Sequence, residues 1–252
     1  MTAAVNDADP LPEQFVQLIP RPESFRPGGL APWASRTGGS SPARVGLDEV
    51  RQALCGEVGA AGAAPEATPA SAVLVAVWEE GGDVRTLLTR RTVWMRSHSA
   101  QVAFPGGRLE PGETLVDGAL REAQEEVGID PSSVEVVGRL SHLYTVSSDA
   151  GMYPVVGILP GRPSISVNPA EVDRAFDVSL GQLMSDGVFH EEIWPVGGTE
   201  RSVYFFEVAG ETVWGATAWV LHELLGLLSG RKLPPATGPV PGPAGASPPA
   251  PV

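Results

Sequence analysis

The stretch Gly106–Ile129, GGRLEPGETLVDGALREAQEEVGI, constrains the fold of this chain more than any other. Two glycines precede a segment with helical periodicity, whose last turns carry Glu122, Glu125 and Glu126. On a helix of 3.6 residues per turn, positions i, i+3 and i+4 share one side, so the three carboxylates are expected to project together. Like charges at this spacing destabilise an isolated helix by roughly 0.2–0.5 kcal/mol per pair, a cost that a cation would offset. Such oxygen ligands favour Mg²⁺ or Mn²⁺ over zinc. The alternative to a cation site is an acidic helix face that is simply exposed to solvent.

Local signals at both ends support a helix in this stretch. Thr114 is a candidate N-cap, and Asp117 three residues later makes a pair that is similar to a capping box. Gly128 stands where a left-handed residue commonly ends a helix. The apolar stripe expected to face the core consists of Leu115, Ala119, Leu120, Ala123 and Val127.

The spacing of the fixed residues resembles the Nudix box, the motif of the Nudix hydrolase family. The motif runs from a glycine through five residues to a glutamate, then through seven residues to Arg-Glu, Glu-Glu, Gly and an aliphatic residue. It is matched by Gly107, Glu113, Arg121, Glu122, Glu125, Glu126, Gly128 and Ile129, with Ala123 in the first aliphatic position. The resemblance implies an α+β fold: the Nudix α/β/α sandwich, with a mixed sheet and a loop–helix–loop metal site. It also implies hydrolysis of a nucleoside diphosphate linked to another moiety.

The same resemblance assigns roles to individual residues. Glu122 and Glu126 resemble direct ligands of Mg²⁺ or Mn²⁺, Glu125 resembles a ligand of a second ion or a water-mediated one, and the Gly106 carbonyl is a further candidate ligand. Glu113 resembles an acid that braces the loop or reaches a metal through water, and Arg121 resembles the residue that orients the glutamates. The predicted catalytic set is therefore Glu113, Arg121, Glu122 and Glu125. The general base stays open between Glu122, Glu125 and a residue of a distant loop, Glu171.

The segment before the motif suggests a substrate. Residues 87–107, LLTRRTVWMRSHSAQVAFPGG, resemble the signature of the coenzyme A pyrophosphatase subfamily, in which Leu-Leu-Thr and two arginines precede Phe-Pro-Gly-Gly. Two positions depart from it: Thr92 replaces a smaller residue, and Ala100 replaces a glycine. If that glycine has positive φ or touches the ligand, an alanine obstructs it. The predicted substrate-binding residues, chosen for charge or for their place in the signature, are Arg91, Arg96, His98, Phe104 and Arg108.

These assignments predict a metal-dependent enzyme that cleaves coenzyme A or acyl-coenzyme A into 3′,5′-ADP and 4′-phosphopantetheine or its acyl form. The alternatives are another Nudix substrate, such as ADP-ribose or a dinucleoside polyphosphate, and a non-catalytic module that senses a nucleotide. The retained Glu122, Glu125 and Glu126 count against the sensor.

Composition narrows the class of protein. The net charge is −13, which disfavours nonspecific nucleic-acid binding. A single cysteine, Cys55, cannot form an internal disulfide, and no secretory signal or apolar run of about 18 residues occurs, so we expect a cytoplasmic protein without membrane contact. The expected partner is a small nucleotide substrate, and a homodimer is left open.

The chain divides into four predicted segments. Residues 1–45 form a partly irregular N-terminal extension, 46–70 a short helix and linker, 71–232 the Nudix hydrolase domain, and 233–252 a disordered proline-rich tail. Within the domain the patterns predict strands at 72–78, 84–89, 101–104, 134–144, 153–159, 189–195, 202–208 and 211–214, and helices at 178–185 and 217–229.

Overall fold

The computed structural model describes residues 17, 19–34, 44–55, 70–92, 100–145 and 148–231. Twelve strands and four helices lie in this part of the chain. The strands are β1 (Arg26–Pro27), β2 (Ala70–Glu80), β3 (Asp83–Arg91), β4 (Val102–Ala103), β5 (Gly106–Arg108), β6 (Glu135–Arg139), β7 (Leu143–Thr145), β8 (Ser148–Ile158), β9 (Val172–Ser179), β10 (Phe189–Val196), β11 (Thr199–Val208) and β12 (Glu211–Trp214). The helices are α1 (Leu47–Leu54), α2 (Leu115–Val127), α3 (Leu180–Leu183) and α4 (Gly215–Leu228), with a 3-10 turn at Pro131–Ser133.

A mixed eight-stranded sheet is the centre of the fold. Its main strand order is β4-β3-β2-β8-β6, while β5 pairs with β2, β7 with β8 and β9 with β3. Strands β2 and β8 are parallel, and the other pairs described in this sheet are antiparallel. Gly107 of β5 and Tyr153 of β8 both pair with Ala72, so β2 is central where the two glycines enter the sheet.

Helix α2 covers one face of this sheet. Thr114 caps it through Oγ1, which accepts the Asp117 N–H at 3.1 Å, and Gly128 ends it with φ of 75°. Of the predicted stripe, Leu115, Ala119, Ala123 and Val127 are buried, and Leu120 is partly buried against the core. Helix and stripe are therefore confirmed, and the acidic side of α2 is turned away from this apolar contact.

The opposite face of the sheet is covered by α4 and α1. Almost all of α4 is buried, including Leu221, Leu224 and Leu225. Trp33 of the N-terminal segment belongs to the same core and packs against Phe206 and Phe189, with ring centroids 6.0 Å and 5.1 Å away. Two helical layers thus enclose a mixed sheet, which confirms the predicted α+β sandwich.

A second, antiparallel sheet has the order β1-β10-β11-β12. The N-terminal segment supplies its edge strand, in which Arg26 pairs with Ile193 and Pro27 with Glu192. Arg90 links the two sheets, because its guanidinium contacts Asp173 of β9 in its own sheet and Glu211 of β12 in the second sheet, the latter at 2.8 Å. The ion pairs therefore join parts of the chain that are far apart in sequence.

Several predicted elements need correction. The helix expected at 178–185 is confined to Leu180–Leu183, because residues up to Ser179 continue β9 along β3. The strand expected at 134–144 is two strands, β6 and β7, separated at Leu140–His142. Strands β9, β1 and the short β5 are not predicted by the sequence patterns. The division into four segments stays a prediction, and residues 56–69 and 232–252 lie outside the described residues.

His222 of α4 is expected to make the fold sensitive to acid. Its ring stacks on Tyr204 at 3.8 Å, and burial lowers the pKa of His222 from 6.5 to about 4. The folded state thus disfavours protonation of His222. The contribution of neutral His222 to the free energy of unfolding is complete above pH 6.5 and is lost as the pH falls toward 4, by about 3 kcal/mol at most. His222→Phe should flatten urea-unfolding free energies across this range, whereas His142→Phe, at an exposed ring, should leave the slope unchanged. An identical acid slope in His222→Phe would contradict this.

Candidate active site

Glu126 is the most deeply buried carboxylate of the site. It lies on the last turn of α2, and its side chain is 2 % exposed. One oxygen accepts the Gly106 N–H at 3.1 Å, and the other accepts from Arg91 Nη1 at 3.1 Å. Burial raises the pKa of Glu126 to about 7 against the opposing effect of these two donors. A positive charge at this carboxylate therefore stabilises its ionised form.

Glu122 lies one helical turn earlier and packs against bare backbone. A Cβ on Gly107 would be 2.4 Å from the carboxylate of Glu122, so any larger residue there would displace this carboxylate. Burial raises the pKa of Glu122, and the guanidinium of Arg121, 3.1 Å from Oε1, opposes the rise. The glycine-rich turn and the helix thus bring Glu122 and Glu126 to the two ends of the Gly106–Gly107 step.

Arg121 organises the outer half of the site. Its guanidinium contacts Glu113 at 2.8 Å, Glu122 at 3.1 Å and Glu125 at 3.1 Å, and Nη2 also donates to the carbonyl of Arg108 at 3.0 Å. The hydrogen bonds from Arg121 lower the pKa of Glu113, while the contacts to Glu113 and Glu122 raise the pKa of Arg121. These contacts place Arg121 against all three carboxylates, and its orienting role stays a prediction.

The three glutamates of α2 differ in exposure. The Glu125 side chain is 55 % exposed and lies toward Arg121 and solvent, while Glu122 and Glu126 are turned toward the glycines. In the described residues, no three or more His, Cys, Asp or Glu side chains converge closely enough to hold a metal ion. The donors are nevertheless all carboxylate oxygens beside bare glycine backbone, a set whose chemistry fits Mg²⁺ or Mn²⁺. The Gly106 carbonyl as a ligand stays a prediction.

The predicted substrate-binding residues differ in where the structure places them. Arg91 is inside the site, at Glu126, whereas the Arg108 side chain is exposed next to it. Phe104 is 2 % exposed and packs in the main core, so its ring offers no surface to a substrate in this structure. Arg96 and His98 lie outside the described residues. Arg85 pairs with Asp177, and Arg90 pairs with Asp173 and Glu211. Both arginines therefore have partners away from the α2 carboxylates.

Glu171 is the functional candidate that only the structure locates. It precedes β9, its carbonyl accepts the Thr92 N–H at 2.9 Å, and its charge contributes to the raised pKa of both Glu122 and Glu126. The sequence signal for this placement is weak: Val172, Phe176 and Val178 follow the period of two expected of a strand. Pairing of β9 with β3 then brings Glu171 to the end of β3, beside Arg91.

Comparison with known proteins identifies the family. Residues 68–186 match the family model described as NUDIX domain. A Photorhabdus laumondii protein named "Uncharacterized Nudix hydrolase NudL" is 41 % identical over 142 residues, which cover 55 % of this chain and 74 % of the relative. This chain belongs to the Nudix hydrolase family. A relative of the same name from Escherichia coli O7:K1 is 40 % identical over 140 residues, covering 55 % of this chain and 72 % of that protein.

Solved Nudix structures show weaker likeness. A MutT/nudix family protein from Enterococcus faecalis matches with a TM-score of 0.42 and 14 % identity, over 74 % of each chain. The C. elegans Ap4A hydrolase matches with a TM-score of 0.39 and 18 % identity, over 45 % of this chain and 82 % of that one. Nothing about substrate follows from similarities of this size.

Family membership confirms the coarser predictions. Nudix hydrolases act on small nucleoside diphosphate derivatives and generally use divalent cations such as Mg²⁺ or Mn²⁺. Among the helices of the described residues, none has the length and apolar character needed to cross a bilayer. The coenzyme A specificity, the cytoplasmic location and the homodimer stay predictions.

Proposed function

We propose that this Nudix hydrolase cleaves the pyrophosphate of coenzyme A or acyl-coenzyme A, giving 3′,5′-ADP and 4′-phosphopantetheine or its acyl form. The support is the signature at residues 87–107, whose first five residues lie on β3 and whose last two are the Gly106–Gly107 step beside Glu122 and Glu126. Arg91, one of its arginines, contacts Glu126 directly. The two described ends of the signature and the carboxylates of α2 are therefore adjacent in space as well as in sequence.

The backbone of Ala100 is the observation that carries the proposal. Ala100 stands where the signature has glycine, and its φ is 56°, in the left-handed region that favours glycine. The chain thus keeps the backbone conformation that a glycine would adopt, although the residue has changed. On sequence grounds an alanine is expected to obstruct such a conformation, but Ala100 adopts it, so this departure counts less against the coenzyme A assignment than the sequence alone suggests.

Ala100→Gly is expected to stabilise the protein. A left-handed conformation costs a non-glycine residue roughly 1–2 kcal/mol, while glycine adds back roughly 0.5–1 kcal/mol of unfolded-state entropy. A net gain of about 0.5–1 kcal/mol in the urea-unfolding free energy should result. As a matched control, Ala53→Gly within α1 should cost up to about 1 kcal/mol. Loss of stability in Ala100→Gly would contradict the strain inferred here.

The residues of the site divide the chemistry between them. We propose that Glu122 and Glu126 hold the cation, with Glu125 serving a second ion, while Arg121 keeps Glu122 in place. When bound, a divalent cation neutralises phosphate oxygens and lowers the pKa of a coordinated water. Water attacks one phosphorus of the pyrophosphate, the bond from that phosphorus to the bridging oxygen breaks, and Glu122, Glu125 or Glu171 receives the proton of the water.

Product analysis tests the proposal. The protein is incubated with Mg²⁺ and separately with coenzyme A, ADP-ribose, NADH and a dinucleoside polyphosphate, and the products are identified by mass. Coenzyme A should give 3′,5′-ADP and 4′-phosphopantetheine, and ¹⁸O-labelled water shows which phosphorus is attacked. Glu122→Gln prepared in parallel reports any contaminating hydrolase. Turnover of another member of the panel with coenzyme A left intact would overturn the assignment.

A further inference from the structure

The Arg91–Glu126 contact differs from the other ion pairs of the site. Arg91 is the side chain that neutralises the deepest carboxylate, and both members are largely enclosed, with 17 % and 2 % of their side chains exposed. Because the second oxygen of Glu126 accepts the Gly106 N–H, both carboxylate oxygens are engaged. A cation that approaches the Oε1 side of Glu126 therefore meets the positive charge of the Arg91 guanidinium.

The two donors differ in their freedom to move. The Gly106 N–H belongs to β5, which pairs with β2, and a Cβ at Gly106 would be 2.4 Å from the carbonyl oxygen of Ala72, so this backbone is tightly enclosed. The Arg91 guanidinium, in contrast, is at the end of a long flexible side chain. Its backbone N–H donates to the Gln101 carbonyl at 2.9 Å. The side chain can therefore swing while its attachment point stays in place.

Arg121 provides the internal comparison. It contacts Glu113, Glu122 and Glu125, but Glu122 keeps Oε2 and Glu125 keeps Oε1 outside those contacts. Arg121 can thus stay in place beside a bound cation, as an orienting residue does. Arg91 differs, because Glu126 is enclosed between this guanidinium and the Gly106 N–H, and the guanidinium repels a divalent cation at the same carboxylate.

We propose that Arg91 is the counter-ion of Glu126 in the metal-free protein, that it leaves this carboxylate when a divalent cation binds, and that its release turns the guanidinium toward the substrate phosphates. The proposal rests on the proposed function for Glu126 as a ligand of the cation and, in its last step, for the phosphates of the substrate. Arg91 is in this sense a positioning residue: it holds the buried carboxylate in place until the cation replaces it. Cation binding and phosphate binding are then coupled, because one arginine serves both anions in turn.

Mn²⁺ binding without substrate tests the exchange. The dissociation constant is measured at pH 8 from the electron paramagnetic resonance signal of free Mn²⁺, for the wild type, Arg91→Gln and Arg91→Lys. Removing the competing charge should tighten Mn²⁺ binding about tenfold in Arg91→Gln, and Arg91→Lys should fall between the two. Arg85 lies on the same strand but pairs with Asp177, so Arg85→Gln should leave Mn²⁺ affinity unchanged.

The melting temperature supplies a second readout. Metal-free Arg91→Gln should melt below the wild type, and saturating Mn²⁺ should close the gap. Mn²⁺ binding that is equal or weaker in both Arg91 variants, or absent from all the proteins, would overturn the proposal. Because no substrate is present, this result is independent of whether coenzyme A is turned over.

Discussion

Glu122→Gln is expected to lower kcat by at least about a hundredfold while the protein stays folded. Residues that only support a metal ligand typically change affinity or activity 10–100-fold, so loss of a proposed ligand should exceed that. Glutamine keeps the shape of the side chain and an oxygen that can accept from Arg121, but it removes the negative charge at Gly107. Steady-state turnover of the substrate found in the product panel gives kcat, and the melting temperature reports the fold.

Glu110→Gln is the matched control for this experiment. Glu110 is exposed in the loop between the glycines and α2, and its backbone N–H, not its side chain, bonds to Glu113. Its substitution removes the same charge from the same loop–helix motif, and kcat should change less than about twofold, as expected for a surface site. A Glu122→Gln enzyme with unchanged kcat would remove this carboxylate from the mechanism.

Trp33→Ala is expected to destabilise the protein by about 3–5 kcal/mol. The indole is 1 % exposed and contacts Phe189, Phe206 and His222 on the α4 side of the sheet. Truncation leaves a cavity in the main core, so the loss combines transfer free energy with the cost of the void. Urea unfolding followed by far-UV circular dichroism measures the change.

Leu30→Ala separates this packing effect from a general sensitivity of the N-terminal segment. Leu30 lies shortly before Trp33 in the sequence and is 90 % exposed, so its truncation should change the unfolding free energy by less than about 0.5 kcal/mol. Equal losses from both substitutions would mean that Trp33 does not act through the core.

Much of the α2 region was predictable because its signals are local. The Thr114 cap, the apolar stripe and the terminal Gly128 lie within one helix, and the structure shows each in its expected place. Hairpins were predictable for the same reason: Gly81 and Gly82, both with positive φ, join β2 and β3. The Nudix box added the family, and hence the mixed sheet, which periodicity alone did not select over other α+β folds.

The elements that were missed depend on distant partners. The polar residues of the β9 segment are typical of a loop, and the segment is a strand because it pairs with β3. Pro27 argues against a strand by itself, and β1 exists because β10 presents a free edge to it. Neither condition can be inferred from a short window of sequence.

The site was predictable in composition more than in arrangement. The motif names the glutamates, but only the fold shows Glu126 enclosed, Glu125 exposed and Arg91 bound to a carboxylate. Phe104 was assigned to substrate because of its neighbours in sequence, whereas alternation along the short β4 segment turns it into the core. Side-chain direction at these positions is decided by tertiary packing.

The edge strand β1 constrains the order in which the chain assembles. Arg21 contacts Glu192, 171 positions later, and Gly29 contacts Glu191, 162 positions later. Since ribosomes add roughly 5–20 residues per second, this segment waits on the order of ten seconds or more for its partner to be made. During that interval Trp33 has no core to enter, so a chaperone that shields the nascent segment should raise the yield of native protein.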